Sequence, residues 1–386
     1  MGDAGMMDVS QLIKAAKEAT GLTQFGEDGW QVGLEILVHS ANREAGLNAI
    51  GAGTIEAMLV GLLAQRLQVE DWYARHPEID EQAITAPLMV LGLPRTGSTA
   101  LHNLLAADPS VRVLRNWEST APCPPPETAT QHTDPRIAAM AEQMVMRDLA
   151  MPRMKQMLPM TATSPIEDQF LMALDFKSQV FMPMFRIPSY VEWFDHEADL
   201  VPTFRYVKRV LKLLQWRCPP SRWRLKNPTY SQCIEALDTV FPDARYCMTH
   251  RDVEDVIPSV ADLYFEMAQR NTERPDKAWI GEATASNCEL GMRRTIAFRD
   301  SGNEDRFLDL HFKPLQSDPI PRIERLYAFL GEPFSEETRR NMLAWRQATP
   351  RDKHGRHKYS ADDFGLDKQA LRARFTFYYD RFGASG

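Results

Sequence analysis

The segment between Pro87 and Ala107 constrains the fold more than any other part of the chain. It begins with a short apolar run, Pro87–Leu93, which has the character of a parallel strand buried on both faces. A glycine-containing loop follows at once, and the next residues, Ser98–Ala107, have the pattern of a helix. A strand that leads through a tight loop into a helix is typical of a doubly wound α/β fold.

Further segments have strand character and are followed by helical patterns: Arg112–Trp117, Trp223–Lys226, Ala244–Thr249 and Phe307–His311. This alternation predicts an α/β fold with a central, mostly parallel sheet. The first part of the chain instead shows apolar residues at helical spacing, which predicts a helical cap over residues 1–85. Residues 86–386 then form the α/β domain, with a helical insertion around residues 138–218.

The composition excludes several classes of protein. A formal net charge of −7 argues against binding to nucleic acid, which requires a basic balance. The five cysteines are scattered without metal-like spacing, which is typical of reduced thiols in a cytosolic protein. The N-terminal residues lack the pattern of a signal peptide, and the longest unbroken apolar runs are much shorter than a membrane span. We therefore expect a cytoplasmic protein without a membrane span.

The loop Gly92–Thr99 reads Gly-Leu-Pro-Arg-Thr-Gly-Ser-Thr. Its glycine spacing and final hydroxyl match the phosphate-binding P-loop, G-x-x-x-x-G-K-S/T, but Ser98 stands where the lysine that reaches the β- and γ-phosphates would be. Backbone N–H groups and a helix N-terminus still make an anion site, and Arg95 supplies a cation with planar donors. The loop therefore favours an anion, without provision for metal-assisted transfer of a γ-phosphate.

The strand followed by Pro-Arg-Thr-Gly-Ser-Thr resembles the phosphosulfate-binding loop of the sulfotransferases. The resemblance implies a P-loop-NTPase-like three-layer fold and an enzyme that uses 3′-phosphoadenosine-5′-phosphosulfate (PAPS) as co-substrate, without a metal. It also implies that Arg95 stabilises the bridging oxygen as the sulfuryl group leaves. The residues that it implies around the 5′-phosphosulfate are Arg95, Thr96, Gly97, Ser98 and Thr99.

Two further segments resemble the part of the family that holds the 3′-phosphate. In the first, a strand ends in Arg251 and a helical stretch carries Ser259 eight residues later. Arginine suits this role because its contacts with phosphate are strong and bidentate. The second is a basic, glycine-containing segment near the C-terminus, where Arg356 and Lys358 are candidates by position. A solvated basic loop explains this second segment equally well.

The sequence does not decide which residue takes the proton from the acceptor. The segment that ends in Lys226 resembles the family's strand whose terminal lysine points toward the sulfuryl group, but Tyr230 stands where many relatives have histidine. Glu167 and Asp168 resemble an acidic pair on the family's acceptor side, and they rank first as candidate bases. His102, one turn into the helix after the loop, ranks second, with a buried structural role as an equal alternative. Tyr230 ranks third.

The sequence also leaves the chemical class of the acceptor undecided, and it allows two functions other than sulfuryl transfer. Residues 138–191 are rich in methionine and phenylalanine, which form either core or an adaptable wall for an apolar acceptor. That composition favours an aromatic or lipidic alcohol, whereas the carboxylate pair favours a carbohydrate. A P-loop-type small-molecule or nucleotide kinase would require a lysine at Ser98 and a magnesium carboxylate at a strand end. A non-catalytic nucleotide-binding protein is the other alternative, and Tyr230 is the sequence hint for it.

Overall fold

A parallel sheet forms the centre of the molecule. The computed structural model describes residues 6–220, 222–349 and 359–383, and within them four strands pair in one sheet of order β2-β1-β3-β4. All neighbouring strands are parallel. The strands are β1 (Leu88–Gly92), β2 (Arg224–Lys226), β3 (Arg245–His250) and β4 (Phe307–His311). Every residue of β1 is buried, as its sequence predicts for a strand covered on both faces.

Helices surround this sheet and follow its strands along the chain. Helices α1 (Val9–Thr20), α2 (Trp30–Glu44) and α3 (Ala49–Arg75) precede the sheet. The others are α4 (Ser98–Leu105), α5 (Asn116–Thr120), α6 (Pro135–Ala150), α7 (Met154–Met157), α8 (Gln169–Met172), α9 (Pro188–His196), α10 (Val201–Trp216), α11 (Ile234–Val240), α12 (Val253–Ala268), α13 (Lys277–Phe298), α14 (Phe312–Ser317), α15 (Pro319–Leu330), α16 (Glu336–Ala348), α17 (Lys368–Arg374) and α18 (Thr376–Phe382).

The strand register brings the carboxyl ends of three strands to one edge of the sheet. Val90 of β1 pairs with Lys226 of β2, and Gly92 of β1 pairs with Thr249 of β3. Because the strands are parallel, the loop after β1, Lys226 and the residues after β3 all emerge on the same side. In open α/β sheets this edge is where ligands bind.

The expected strand Arg112–Trp117 is wrong. Its first residue makes a single parallel bridge beside β2, and α5 already begins at Asn116. The guanidinium groups of Arg112 and Arg115 both bind the buried carboxylate of Glu118, at 2.6 and 2.5 Å. The same carboxylate accepts from the backbone N–H of Arg115 at 3.0 Å. These polar bonds draw the chain into a helical turn, so the ladder stops after one bridge.

The N-terminal helices share their core with the sheet. Leu34 of α2 and Leu63 of α3 belong to the same apolar cluster as Met89 of β1. Among the described helices, α3 has the length and apolar composition that could cross a membrane. Arg66, in the middle of α3, is only 2% exposed and donates to the carbonyls of Phe25 and Leu174. We therefore describe α3 as a core helix.

Candidate active site

The loop after β1 is fixed by close contact with β3. Gly92 has φ +118°, and a Cβ atom there would lie 2.5 Å from the carbonyl oxygen of Thr249, so only glycine fits without a shift of backbone. The hydroxyl of Thr96 donates to the carbonyl of Leu93 at 2.7 Å and lies 2.6 Å from the hydroxyl of Thr249. Thr96 has no exposed surface and does not line the cleft, so its hydroxyl holds the loop against β3 and is not free for a ligand.

Left-handed residues turn this loop into the start of α4. Arg95 has φ +62° and Gly97 has φ +88°, and α4 begins directly afterwards with Ser98 and Thr99. The first N–H groups of a helix have no acceptor within the helix, and they favour an anion. Gly97, Ser98 and Thr99 all line an open cleft at this position. The structure thus supplies the backbone geometry that an anion-binding loop needs.

Two arginines and a serine meet behind the loop. The Nε of Arg95 lies 3.4 Å from the hydroxyl of Ser259, and Nη1 of Arg251 donates to the carbonyl of Arg95 at 3.1 Å. The Nη1 of Arg95 donates to the carbonyl of Met157 at 2.7 Å. Burial, followed by the charge of Arg251, lowers the pKa of Arg95. Neutral oxygens are the partners of Arg95 that the described part of the chain shows, so an anion would relieve the repulsion between the two cations.

The structure also shows neighbours of this cluster that the sequence did not reveal. The guanidinium of Arg251 lies over the ring of Phe312 at 4.4 Å, and Phe312 and Gln316 line the cleft beside Gly97. Both residues belong to α14, which directly follows β4. These residues could have been predicted from the sheet topology, because β4 is parallel to the other strands and ends at the same edge as β1.

The predicted C-terminal candidates, Arg356 and Lys358, lie outside the described residues. The chain is described again from Tyr359, whose hydroxyl donates to the carbonyl of Asp255 at 2.9 Å. Asp255 is in the first turn of α12 and lies 3.3 Å from Arg251. The described chain therefore resumes, at Tyr359, near Arg251.

Lys226 and Glu167 form an ion pair in the wall of the cleft. The Nζ of Lys226, at the end of β2, lies 2.5 Å from one carboxylate oxygen of Glu167. The amide of Gln169 donates to the other oxygen at 2.6 Å. The Lys226 side chain is 5% exposed and that of Glu167 is 23% exposed, and both residues line the cleft. A cation and a carboxylate are thus present beside the anion-binding loop.

Asp168 and Tyr230 are paired beneath the cleft and do not line it. The Tyr230 hydroxyl donates to one oxygen of Asp168, and the amide of Asn227 donates to the other at 3.0 Å. Burial is the main reason that the pKa of Asp168 is raised to about 7. Burial and the charge of Asp168 also raise the pKa of Tyr230 well above its ordinary value. Tyr230 therefore stays a neutral donor, and the two acidic neighbours predicted as a pair face different surroundings.

His102 is also buried, with no exposed surface. Its Nε2 lies 2.9 Å from the carbonyl oxygen of Arg224, which fixes the ring against β2. Burial, followed by the charge of Lys226, lowers the pKa of His102 to about 3. His102 does not line the cleft, which favours the structural alternative over the predicted role as a base.

The cleft has a volume of about 390 Å³, and apolar side chains predominate in its wall beyond the Lys226–Glu167 pair. Polar side chains also line it, among them Gln179, Thr229, Ser231, Gln232 and Asn287. The methionine-rich insertion contributes Met160 and Phe170 to its wall, whereas most of the other methionines and phenylalanines of that insertion are buried in the core. The rest of the apolar wall includes Leu158, Ile166, Val180, Pro183, Val260, Leu263, Tyr264, Met267 and Met292. The contribution of α12 was not foreseen, although its residues at positions 260, 263, 264 and 267 recur at helical spacing.

A P-loop-like turn that has serine at the lysine position and two arginines beside it, at the edge of a parallel sheet, is typical of a protein that binds an anionic ligand. The model of the sulfotransferase family matches residues 87–336. The chain therefore belongs to the sulfotransferase family, which confirms the predicted membership.

Solved structures of sulfotransferases agree over nearly the whole chain. Sulfotransferase STF9 from Mycobacterium avium superposes with a TM-score of 0.91 and 32% identity, over 99% of this chain and 98% of that one. Sulfotransferase STF1 from Mycobacterium tuberculosis H37Rv gives a TM-score of 0.87 and 28% identity, over 96% and 99% of the two chains. The predicted α/β fold with a central parallel sheet is confirmed.

A curated relative is the omega-hydroxy-beta-dihydromenaquinone-9 sulfotransferase Stf3 from Mycobacterium bovis. The two sequences are 27% identical over 254 residues, which is 64% of this chain. The match spans 62% of the length of that relative.

Proposed function

We propose that this protein transfers the sulfuryl group of PAPS to a hydroxyl group of an apolar acceptor. The observation that carries the proposal is that three kinds of group line one cleft. They are the anion-binding loop with Arg95, the Lys226–Glu167 pair, and a wall in which apolar side chains predominate. A donor, a reacting centre and an apolar acceptor would need these three kinds of group in one space.

The donor end suits a nucleotide with two anionic groups. The N–H groups of the loop and of Ser98 and Thr99, together with Arg95, would bind the 5′-phosphosulfate. Arg251 and Ser259 would bind the 3′-phosphate, because they lie behind the loop on the other side of Arg95. We place the reaction in the cytoplasm, without a metal ion.

In the proposed reaction a bond forms between the acceptor oxygen and sulfur while the bond from sulfur to the bridging oxygen breaks. The bonding electrons stay on the 5′-phosphate of the leaving nucleotide, where Arg95 and the loop stabilise them. The proton of the acceptor hydroxyl passes to the carboxylate of Glu167, the candidate base that lines the cleft. Lys226 would bind the sulfuryl oxygens, which releases the oxygen of Glu167 that it now holds.

The acceptor end favours an apolar alcohol over a carbohydrate. The carboxylate pair was the reason to expect a carbohydrate, yet Glu167 alone of the two lines the cleft, while Asp168 is buried. Apolar side chains predominate in the remaining wall, which also carries the amides of Gln179, Gln232 and Asn287. The name of the relative Stf3 assigns to that protein a menaquinone-derived alcohol, which is consistent with this choice.

Ligand-dependent unfolding tests the donor. We expect 3′-phosphoadenosine-5′-phosphate (PAP) to raise the melting temperature without metal, since a ligand at 100 times its Kd stabilises the folded state by about 2.7 kcal/mol. ATP with magnesium serves as the control and should stabilise the protein much less. A larger shift with ATP and magnesium would overturn the proposal and favour the kinase. A screen with labelled PAPS against phenols, sterols, glycolipids and sugars then tests the acceptor.

A further inference from the structure

A second cavity lies next to the cleft. Its volume is about 480 Å³, and its wall is built from residues 44–46 of the N-terminal helices, residues 182–186, and the hairpin between α12 and α13. Pro183 and Tyr264 line both this cavity and the cleft. The two spaces are therefore neighbours that share part of one wall.

The inside of the second cavity is apolar. Ala45, Met182, Phe185, Ala268 and Ile280 line it, and each of these residues is less than a tenth exposed. The charged residues of the wall are the exposed Arg186, Glu273, Arg274 and Asp276 and the half-buried Glu44. An apolar interior of several hundred cubic ångströms is typical of a cavity that holds a small-molecule ligand.

Hydrogen bonds between its three segments fix the shape of this cavity. The N–H of Asn48 donates to the carbonyl of Asn271 at 3.1 Å, and the hydroxyl of Thr272 donates to the carbonyl of Gly46 at 2.7 Å. The side chain of Asn271, itself buried, donates to the carbonyl of Met184 at 3.2 Å. The hairpin is thus bonded both to the N-terminal helices and to the insertion, so the cavity is a built part of the fold.

Further contacts hold together the side of the second cavity that lies at the C-terminal end of α2. The carboxylate of Glu44 accepts from the N–H and the hydroxyl of Ser189, at 3.1 and 2.9 Å. The guanidinium of Arg186 lies 5.4 Å from the centre of the Trp279 ring, which joins the insertion to α13. These contacts give the N-terminal helices a definite role, namely to supply one wall of the second cavity.

We propose that the second cavity holds the long aliphatic or isoprenoid chain of the acceptor, while the acceptor hydroxyl lies at Glu167 in the cleft. The chain would pass Pro183 and Tyr264, the two residues common to both spaces. This inference rests on the proposed function and adds the substrate class, a long-chain alcohol. The flexible side chain of Met182 suits a wall that must adapt to such a chain.

The test is the dependence of kcat/KM on chain length in a series of para-alkylphenols, with PAPS as donor and the full-length protein. Burial of one methylene group contributes about 0.8 kcal/mol, so kcat/KM should rise roughly fourfold for each added methylene until the second cavity is full. In Ala283→Phe the gain for long chains should disappear, because residue 283 lines the second cavity and not the cleft. The shortest phenols should keep their kcat/KM in that variant.

Ala278→Phe is the matched control, since Ala278 is exposed on the same helix and lines neither space. Ala268→Phe repeats the test from α12, and stabilisation by PAP shows that each variant is folded. Turnover of the phenols without any dependence on chain length would overturn this inference and leave the proposed function standing. A rise of kcat/KM with chain length that persists in both Ala283→Phe and Ala268→Phe would also overturn this inference and leave the proposed function standing. Stabilisation by PAP without turnover of any alcohol would overturn the proposed function, and this inference with it.

Discussion

The proposed donor end and the proposed acceptor end of the cleft are built in different ways. At the donor end one continuous loop, Gly92–Thr99, is fixed by backbone contacts with β3 and is surrounded by cations. At the acceptor end the wall is made mainly of apolar side chains from segments that are far apart in the chain, among them residues 158–170, residues 179–183, α12 and α13. The first region depends on backbone geometry and the second on side-chain volume.

This difference indicates which amino-acid substitutions each end can tolerate. A side chain at Gly92 would collide with β3, so the donor loop has little freedom to vary. Apolar side chains in a wall can exchange for others of similar volume at a small cost in stability. We therefore expect the acceptor to be changeable without loss of the donor. The following predictions test that separation, from the largest effect to the smallest.

Glu167→Gln should lower kcat the most, by roughly 10²–10⁴-fold, because the variant removes the base at the reacting centre. Stabilisation by PAP should stay as in the unchanged protein, since Glu167 lies outside the donor loop. Glu142→Gln, an exposed change on α6, is the control. Steady-state kinetics with a phenol acceptor measure the effect. A greater loss of kcat in Asp168→Asn than in Glu167→Gln would assign the base to Asp168 instead.

Arg95→Ala should lower kcat by roughly 10²–10³-fold, as for the loss of one group that stabilises charge in the transition state. The loss should be equal for every acceptor, which separates it from changes in the second cavity. Stabilisation by PAP should also fall, since Arg95 is part of the donor end. Lys155→Ala removes an exposed cation of α7 and serves as control. Turnover within tenfold of the unchanged protein would show that the loop has another role.

Ser259→Ala should weaken PAP binding by about tenfold, since one hydrogen bond to a charged group contributes about 1.5–3 kcal/mol and water replaces part of it. Titration calorimetry measures the change in Kd. Ser286→Ala, an exposed change on α13, should leave the Kd unchanged. If Ser259→Ala binds PAP as tightly as the unchanged protein, the 3′-phosphate lies elsewhere.

Asp168→Asn should change how stability depends on pH. Burial raises the pKa of Asp168 from an ordinary value near 3.8 to about 7, so between these values the folded state binds the proton more tightly than the unfolded state. The free energy of unfolding then falls as pH rises through this window, by at most about 1.4 kcal/mol per pH unit. The variant lacks this slope. Its stability relative to the unchanged protein should therefore increase from pH 4 to pH 7 in denaturant titrations.

His102 gives an opposite slope in the unchanged protein, because burial lowers its pKa from an ordinary value near 6.5 to about 3. Between these values the unfolded state binds the proton more tightly, so this contribution to stability is lost as pH falls. It is present in both proteins and cancels in the comparison with Asp168→Asn. A difference in stability that does not change with pH would show that Asp168 titrates normally and is exposed to the cleft.

The sequence predicted the features that follow from local pattern. The alternation of strand-like and helical segments located all four strands of the described sheet, and glycine spacing located the loop between β1 and α4. Because parallel strands end at one edge, Lys226 and Arg251 could also be expected near that loop. The strand predicted at Arg112–Trp117 does not form, because two arginines pair with Glu118 and hold this segment in a helical turn. A local pattern of apolar residues cannot indicate such ion pairs.

The candidate bases show why side-chain surroundings could not be predicted. Glu167 and Asp168 are adjacent and chemically alike, yet Glu167 lies in the cleft and Asp168 is buried at the residue before α8. That division is produced by Tyr230 and Asn227, which bind Asp168 from about sixty positions away along the chain. His102 is likewise placed by the carbonyl of Arg224. Contacts between distant segments decide these positions.

The N-terminal helices share an apolar core with the sheet, and this limits where the chain can be truncated. The family match begins at residue 87, where a protein engineer would naturally cut. A fragment starting there would leave the partners of Leu34 and Leu63 facing water and would open one side of the second cavity. The related structures superpose over 99% and 96% of this chain, so the match that begins at residue 87 does not mark the start of the shared fold. We expect the unit that folds to include the N-terminal helices.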